Sequence, residues 1–338
     1  MHRIVIGLLL VVSLFAGCSG NSNSNPSAAS NSSSGGKKYV LAVIPKGTTH
    51  EFWKSVHAGA QQAADELAKS DGLQIEIVWK GPLLENDREG QINVVQDFIT
   101  RKVSGICLAP LDAQGLVKSV KDAKELGIPT VIFDSGLDDE SVIVSYVATD
   151  NYKGGVMAAE ELGKRLGGKG GVVLLRYNQG SESTHQREQG FLETLEKKFP
   201  DIKILSADQY SGATPESSLN VCQQLFQKFG KDMNGCFSVA EPNGTGMLKA
   251  LEDLGLAGKT TFITFDPSPG LIASMKAGKC HGIVLQDPLR MGYLAVKTMI
   301  AHLQGKQVEK RIDTGEYLAT PENMDSAEMK PLLSPKQL

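Results

Sequence analysis

Short apolar segments alternate with segments of helical periodicity along most of this chain. The segments predicted as strands lie at 39–45, 75–79, 103–109, 130–133, 171–176, 202–207, 235–239, 261–265 and 283–285. Helices are predicted between them, at 52–68, 91–101, 113–126, 186–198, 215–229, 243–254 and 289–303. Runs such as Val-Val-Leu-Leu at 172–175 lack polar alternation, which is typical of strands covered on both faces. The pattern therefore predicts an α/β fold built on doubly wound parallel sheets with right-handed crossovers.

The number of predicted strands favours two similar lobes over one sheet. The part of the chain that follows residue 37 has roughly 300 residues, which is enough for two domains of ordinary size. In open parallel sheets, ligands bind outside the carboxyl ends of the strands. Candidate functional residues are therefore expected where the predicted strands end.

The N-terminal segment has the features of a bacterial secretion signal. Arg3 precedes an apolar stretch at 4–16, which is followed by Gly17 and Cys18. Residues 16–18 resemble a lipobox, so we expect a lipoprotein signal peptide at 1–18 and lipidation of Cys18. Residues 19–37 are rich in Ser and Asn and are expected to be a flexible linker. An ordinary cleaved signal and a short apolar anchor are the alternatives, and all of these place the protein in the periplasm or on the cell surface.

Composition excludes several classes of function. A formal charge of −3, with 22% charged residues, gives no basic surface that would indicate nucleic-acid binding. The four cysteines beyond Cys18 form no CxxC pair or zinc-type cluster, so neither a metal nor a cofactor is expected. These thiols are predicted to be free and buried, although Cys222 could instead pair with Cys236 or Cys280.

Aromatic and acidic residues follow the predicted strands. Phe52 and Trp53 come after the first strand, where an exposed ring could stack on a sugar face or both rings could pack in the core. Asp134 and Asp266 end two further strands. Their carboxylates could accept hydrogen bonds from vicinal hydroxyls, act as the acid and base of a glycosidase, or cap helices.

Three more polar side chains are candidates for ligand contacts. Arg187 could clamp hydroxyl groups, or it could pair with a local acid such as Glu188 or Glu182. His185 could donate or accept a hydrogen bond, or it could be a solvated loop histidine. Gln286 ends the strand at 283–285 and has both a donor and an acceptor, which suits a hydroxyl.

The body of the chain resembles the ribose/galactose-type periplasmic binding proteins, which capture sugars for ABC transporters. The likeness runs from about residue 38 to residue 316. It is carried by the order and spacing of residues 52–53, 58–60, 105–110, 127–134, 149–151, 154–155, 187–191, 219–221, 246–251, 263–266, 277–279 and 286.

The resemblance implies roles for individual residues. Phe52 and Trp53 match the paired aromatic residues that sandwich sugars, and Asp134, Asp266 and Gln286 match polar ligand contacts. This chain also departs from the family at several positions that still belong to the expected site. Those positions are Lys46 and His50 in the first loop, Ser135 and His185 where the family often has arginine, and Glu241 in an Ala-Glu pair that replaces Asn-Asp.

The family architecture implies two lobes joined by a three-strand hinge. The N-terminal lobe would comprise 38–148 and 287–315, and the C-terminal lobe with the tail would comprise 149–286 and 316–338. We expect a monomeric, non-enzymatic protein that captures a monosaccharide or polyol between the lobes and delivers it to an ABC permease, with a lipid anchor as its contact with the membrane. The alternatives are a receptor that presents the closed form to a signalling partner and a surface glycosidase.

Overall fold

The computed structural model describes residues 37–338. The predicted signal peptide, Cys18 and all but the last residue of the predicted linker lie outside the described residues. The described chain alternates strands and helices in the following order: β1 (Lys38–Ile44), α1 (Glu51–Asp71), β2 (Gln74–Trp79), α2 (Arg88–Thr100), β3 (Gly105–Leu108), α3 (Val117–Glu125), β4 (Thr130–Phe133), β5 (Ser145–Ala148), α4 (Asn151–Arg165), β6 (Lys169–Leu175), α5 (Glu182–Lys198), β7 (Asp201–Ser206), α6 (Pro215–Phe229), β8 (Met233–Ser238), α7 (Glu241–Asp253), β9 (Thr261–Phe265), α8 (Pro269–Lys276), β10 (Gly282–Gln286), α9 (Pro288–Leu303), β11 (Arg311–Asp313), β12 (Glu316–Ala319) and α10 (Met329–Leu333).

The strands form two sheets of six strands each, in the orders β11-β5-β4-β3-β1-β2 and β12-β10-β9-β8-β6-β7. All neighbours pair in parallel except β12, which is antiparallel to β10. We call the first sheet with α1, α2, α3 and α9 the N-terminal lobe, and the second sheet with α4 to α8 and α10 the C-terminal lobe. The predicted α/β class with two doubly wound parallel sheets is confirmed.

Both faces of each sheet are covered by helices, which explains the uninterrupted apolar strands. In β1, Leu41 and Val43 pack with apolar residues of α1 and α9, whereas Ala42 and Ile44 pack with those of α2 and α3. Alternate residues of a strand point to opposite faces, so a strand between two helical layers needs apolar side chains at every position.

The sequence reasoning missed several elements and placed the start of α5 too late. It gave no strand at β5, β11 or β12 and no helix at α4, α8 or α10. Helix α4 begins near Gly154 and Gly155, two residues that lower helix propensity. Packing requires them, because a Cβ at Gly155 would lie 2.1 Å from the backbone oxygen of Arg187 in α5 and a Cβ at Gly154 would lie 2.8 Å from the Phe265 ring. Glycine here allows two helix backbones to approach closely.

The described chain crosses from one lobe to the other at three connections, which join β5 to α4, β10 to α9, and β11 to β12. Two of these connections lie side by side, since the Thr149 hydroxyl is 3.4 Å from that of Thr314 and donates to the Gly315 carbonyl at 3.2 Å. Such short, bonded connections are suited to a hinge between two packed bodies.

Cys107, Cys222, Cys236 and Cys280 are all free and buried. Burial raises the pKa of the Cys107 thiol to about 12, which keeps it protonated and inert. Among residues 37–338, no helix combines the length and apolar character needed to cross a membrane.

Candidate functional site

A cavity of about 560 Å³ lies between the lobes and is lined by residues of both. Its volume is in the range typical of small-molecule sites. It brings together nine of the residues singled out in the sequence: Lys46, His50, Phe52, Trp53, Asp134, Arg187, Glu241, Asp266 and Gln286. These residues follow parallel strands whose carboxyl ends meet along the same edge of each sheet, as expected for this fold.

Asp134 and Asp266 occupy equivalent positions, directly after β4 and β9. Both have left-handed backbone conformations, with φ of 64° and 62°. Positive φ is uncommon outside glycine, and aspartate is among the few residues that tolerate it. Neither residue caps a helix, because Asp139 caps the short 3-10 helix after β4 and Ser268 caps α8. The capping alternative is therefore wrong, and both carboxylates are left to face the cavity.

Lys46 is a buried cation at the end of β1. Its Nζ lies 3.1 Å from Oδ2 of Asp134 and also donates to the hydroxyls of Ser181 at 3.3 Å and Ser183 at 3.0 Å. Asp134 belongs to the N-terminal lobe and the two serines to the C-terminal lobe. Lys46 therefore both neutralises a buried carboxylate and connects the lobes.

Arg187, Asp266 and Gln286 form a second polar group in the C-terminal lobe. The Arg187 guanidinium stacks on the Phe265 ring at 3.7 Å, donates to Asn151 and to the Val239 carbonyl, and lies 3.8 Å from Asp266. It pairs with neither Glu188 nor Glu182, the local acids considered from the sequence. The Gln286 amide nitrogen donates to both Asp266 carboxylate oxygens, at 3.0 and 3.1 Å.

Glu85 is a functional candidate that the sequence analysis missed. Its Oε1 accepts from Trp53 Nε1 at 2.7 Å and lies 2.8 Å from His50 Nδ1. Burial opposes the charge of His50, but the hydrogen bond and the attraction from Glu85 raise the pKa of His50 above its usual value. Burial likewise opposes the charge of Glu85, but His50 and Lys46 hold the pKa of Glu85 below its usual value. The two side chains thus form a hydrogen-bonded pair at the wall of the cavity, in which each favours the charged form of the other.

Phe52 and Trp53 meet edge to face, with ring centroids 4.8 Å apart. Trp53 is almost fully buried in the core of the N-terminal lobe, whereas Phe52 is half-buried. Both line the cavity, with Trp53 packed in the core and Phe52 partly exposed, and stacking of a ring on a sugar stays a prediction.

His185 and Ser135 are not among the residues that line the cavity. Helix α5 begins at Glu182, so His185 lies in its first turn and not in a loop. At 100° per residue, Ser183, Thr184 and Arg187 face inward, and the His185 side chain is 67% exposed. The Ser135 hydroxyl is buried between the lobes and accepts from the Ser183 amide at 3.1 Å.

The lobes touch along one edge of the cavity through further hydrogen bonds. The Gly136 amide donates to Glu182 at 2.8 Å, and the Ala113 amide donates to the Gly180 carbonyl at 2.9 Å. Together with the Lys46 and Ser135 contacts, these bonds hold the lobes against each other in this structure.

Residues of the segment 332–338 also line the cavity. Leu332 and Leu333 pack in the core of the C-terminal lobe, and Pro335 and Gln337 face the cavity. The segment then reaches the N-terminal lobe, where the Leu338 amide donates to the Lys54 carbonyl of α1 at 3.4 Å. The segment therefore contacts both lobes beside the cleft. The sequence analysis did not predict this, because it sought site residues only where predicted strands end.

Deletion of residues 335–338 is expected to speed ligand dissociation several-fold, because the deletion removes both part of the cavity wall and a contact between the lobes. The melting temperature should change little, since Leu332 and Leu333 remain in the core. Stopped-flow fluorescence would measure the dissociation rate, and deletion of Leu338 alone separates the two causes, because it removes the contact with Lys54 and keeps Pro335 and Gln337. Equal rates in all three proteins would show that the segment has no part in ligand retention.

Comparison with known proteins agrees with this architecture. A family model described as the periplasmic binding protein domain matches residues 41–307. This chain belongs to the periplasmic binding protein family. The match covers most of both lobes, and the resemblance found in the sequence is confirmed.

Individual periplasmic binding proteins are similar to nearly the whole chain. The ribose import binding protein of Bacillus subtilis is 29% identical over 317 residues, which cover 93% of this chain and 98% of that protein. A carbohydrate transporter solute binding protein from Agrobacterium radiobacter, solved with D-arabinose, has a TM-score of 0.81 and 30% identity, covering 88% of this chain and 99% of that one.

An ABC transporter solute binding protein from Agrobacterium vitis, solved with D-fucose, also has a TM-score of 0.81, with 33% identity over 87% of this chain and 99% of that one. The family and these relatives are binding proteins of transport systems. The chain is accordingly a binding protein and not an enzyme, and the glycosidase alternative is set aside.

Proposed function

We propose that this protein is an extracytoplasmic solute-binding lipoprotein that captures a monosaccharide or a related polyol for an ABC permease. The observation that carries the proposal is the cavity between the lobes, where aromatic rings and strand-end carboxylates converge. The names of the relatives point to ribose-, arabinose- and fucose-like sugars as the ligand class.

Each lobe would contribute part of the sugar site. Phe52 and Trp53 of the N-terminal lobe would stack on the apolar C–H face of the ring. Asp134 and Asp266, from opposite lobes, would accept charge-assisted hydrogen bonds from hydroxyl groups. Arg187 and Gln286 would fix the Asp266 carboxylate and contact hydroxyls directly. Ser135 and His185 would act outside the direct contact set, as a lobe-to-lobe contact and a solvent-exposed residue.

Ligand capture would proceed by closure of the hinge. The proposed lobe boundaries are 38–148 with 287–315 and 149–286 with 316–338, and the division of the strands between two sheets supports this proposal. A ligand that touches both lobes binds the closed arrangement more tightly than the open one and shifts the population toward it. The closed monomer would be the form that the permease recognises.

Lipidation of Cys18 would anchor the protein to the membrane, with residues 19–37 as a leash. Cys18→Ser is expected to move the protein from the membrane fraction to the soluble fraction, because the acyl chains provide the membrane affinity. Fractionation followed by immunoblotting tests this, with Ser19→Ala as the matched control. Retention of Cys18→Ser in the membrane fraction would require another anchor.

Isothermal titration calorimetry against pentoses, hexoses, 6-deoxyhexoses and linear polyols tests the proposed function. We expect saturable binding of at least one member, with a dissociation constant of about 1 μM or lower, which corresponds to about −8 kcal/mol. No heat with any member would contradict the sugar-binding proposal.

A further inference from the structure

All but one of the partly or fully buried charges that line the cavity are paired, and Glu51, which has no ion pair in the described chain either, is exposed at the rim. Lys46 contacts Asp134 at 3.1 Å, His50 contacts Glu85 at 2.8 Å, and Arg187 lies 3.8 Å from Asp266. Each cation of the cavity wall thus has its own carboxylate. An acidic group on the ligand would have to compete with these pairs for its cation.

Glu241 is the exception. It lines the cavity, is half-buried, and forms no ion pair among residues 37–338. Its carboxylate accepts a hydrogen bond from the Thr245 hydroxyl at 2.6 Å, which leaves acceptor capacity unused. The start of α7 favours a negative charge at this position but does not neutralise it.

Two buried polar atoms of the same cavity lack a partner in the described chain. The Gln286 amide must turn its nitrogen toward Asp266, because a carboxylate only accepts, so Oε1 of Gln286 remains an acceptor without a donor. The Tyr177 hydroxyl is also buried and makes no hydrogen bond of ordinary geometry in the described chain, although the Glu85 carboxylate lies close to it. Gln286 and Tyr177 are only 2% and 3% exposed, so their missing partner has to come from ordered water or from a ligand in the cavity.

Space is available beside the unpaired carboxylate. Ala240, which precedes Glu241 and also lines the cavity, contributes only a methyl group. A ligand substituent can therefore approach the carboxylate without displacing a bulky side chain.

We propose that the preferred ligand is an amino sugar or amino polyol whose ammonium group is bound by Glu241. The proposal rests on the proposed function and names the ligand class more closely. An ammonium group supplies three donors and one positive charge, which complements a surplus of acceptors and one unpaired carboxylate. The unpaired carboxylate of Glu241 also disfavours sugar acids as ligands, although Lys46 and His50 taken alone would suggest an acidic ligand.

Calorimetry with matched ligands tests this proposal. D-galactosamine, D-glucosamine and an inosamine would each be titrated beside the parent hydroxyl compound and the N-acetylated compound, at about pH 6.5, where such amines are charged. We expect at least one amine to bind about tenfold or more tightly than its parent, and the advantage to shrink as salt is added.

Glu241→Gln should abolish the preference for the amine, measured as the ratio of the dissociation constants of the amine and its hydroxyl parent for the same variant. Glu51→Gln, a matched change of an exposed carboxylate at the rim of the same cavity, should preserve the preference. A preference for neutral parents, or an amine preference that survives Glu241→Gln, would overturn this inference while leaving sugar binding intact. Absence of heat with every compound would instead contradict the proposed function.

Discussion

Asp266→Ala is expected to weaken sugar binding by roughly 100-fold or more, which is about 2.7 kcal/mol of binding free energy. The carboxylate is buried in the cavity wall and held by Gln286 and Arg187, so its bonds to ligand hydroxyls would be charge-assisted and preorganised. Its removal also leaves the Gln286 amide nitrogen without an acceptor. Calorimetry measures the effect.

The matched control is Asp253→Ala, which removes a carboxylate on the surface of α7. It should leave affinity unchanged. An Asp266→Ala protein that binds sugar within a few-fold of the original would show that the ligand contacts have been misassigned.

The titration of Asp266 gives a second readout of the same residue. Burial raises the pKa of Asp266 from 3.8 to about 6, against the opposing effects of Arg187 and Gln286. Between pH 3.8 and about 6, Asp266 keeps its proton in the folded protein and has lost it in the unfolded chain. The contribution of Asp266 to the free energy of unfolding is therefore greatest below pH 3.8 and decreases as the pH rises to about 6. Asp266→Asn should remove this pH-dependent contribution. Denaturant unfolding of the original protein and the variant at pH 3.8 and at pH 6 would show the difference.

Lys46→Met is expected to lower the free energy of unfolding by about 3–5 kcal/mol, the usual effect of leaving one charge of a buried pair without its partner. Lys46 and Asp134 are both nearly inaccessible, and methionine replaces the aliphatic part of the lysine without its charge. The variant also loses both bonds to Ser181 and Ser183, so the contact between the lobes should weaken. Denaturant unfolding of the ligand-free protein measures the change in stability.

Two variants isolate the cause. In Lys46→Met/Asp134→Asn the buried charge is gone, so much of the lost stability should return. Lys80→Met removes an exposed lysine that contacts Asp97 at 3.0 Å, and such surface pairs contribute about 0–1 kcal/mol. If Lys46→Met were no more destabilising than Lys80→Met, the buried pair would have no structural importance.

The fold could be predicted because its main signal is local. Each apolar strand between two helical layers is readable from a few consecutive residues, and the elements missed are those in which local preference is overruled. Helix α4 has two adjacent glycines near its start, of which Gly155 is required by packing against α5 and Gly154 lies against the Phe265 ring. The short strands β5, β11 and β12 adjoin the connections between lobes, where the run of apolar residues is brief.

The candidate site could be predicted to the extent that strand ends determine it. Asp134, Asp266 and Gln286 follow β4, β9 and β10 or end them, and parallel strands bring such residues together. Glu85 and the segment 332–338 reach the cavity from a loop and from the far end of the sequence, so only tertiary structure places them there. The prediction for His185 depended on where α5 begins. Because the helix begins earlier than expected, the side chain of His185 points to solvent.

The most direct test of the account is small-angle X-ray scattering with and without the sugar identified by calorimetry. If the lobes close around the ligand, the radius of gyration should decrease on saturation, and Asp266→Ala should show no decrease at the same concentration. An unchanged profile at saturating ligand would contradict closure of the lobes as the mechanism of capture.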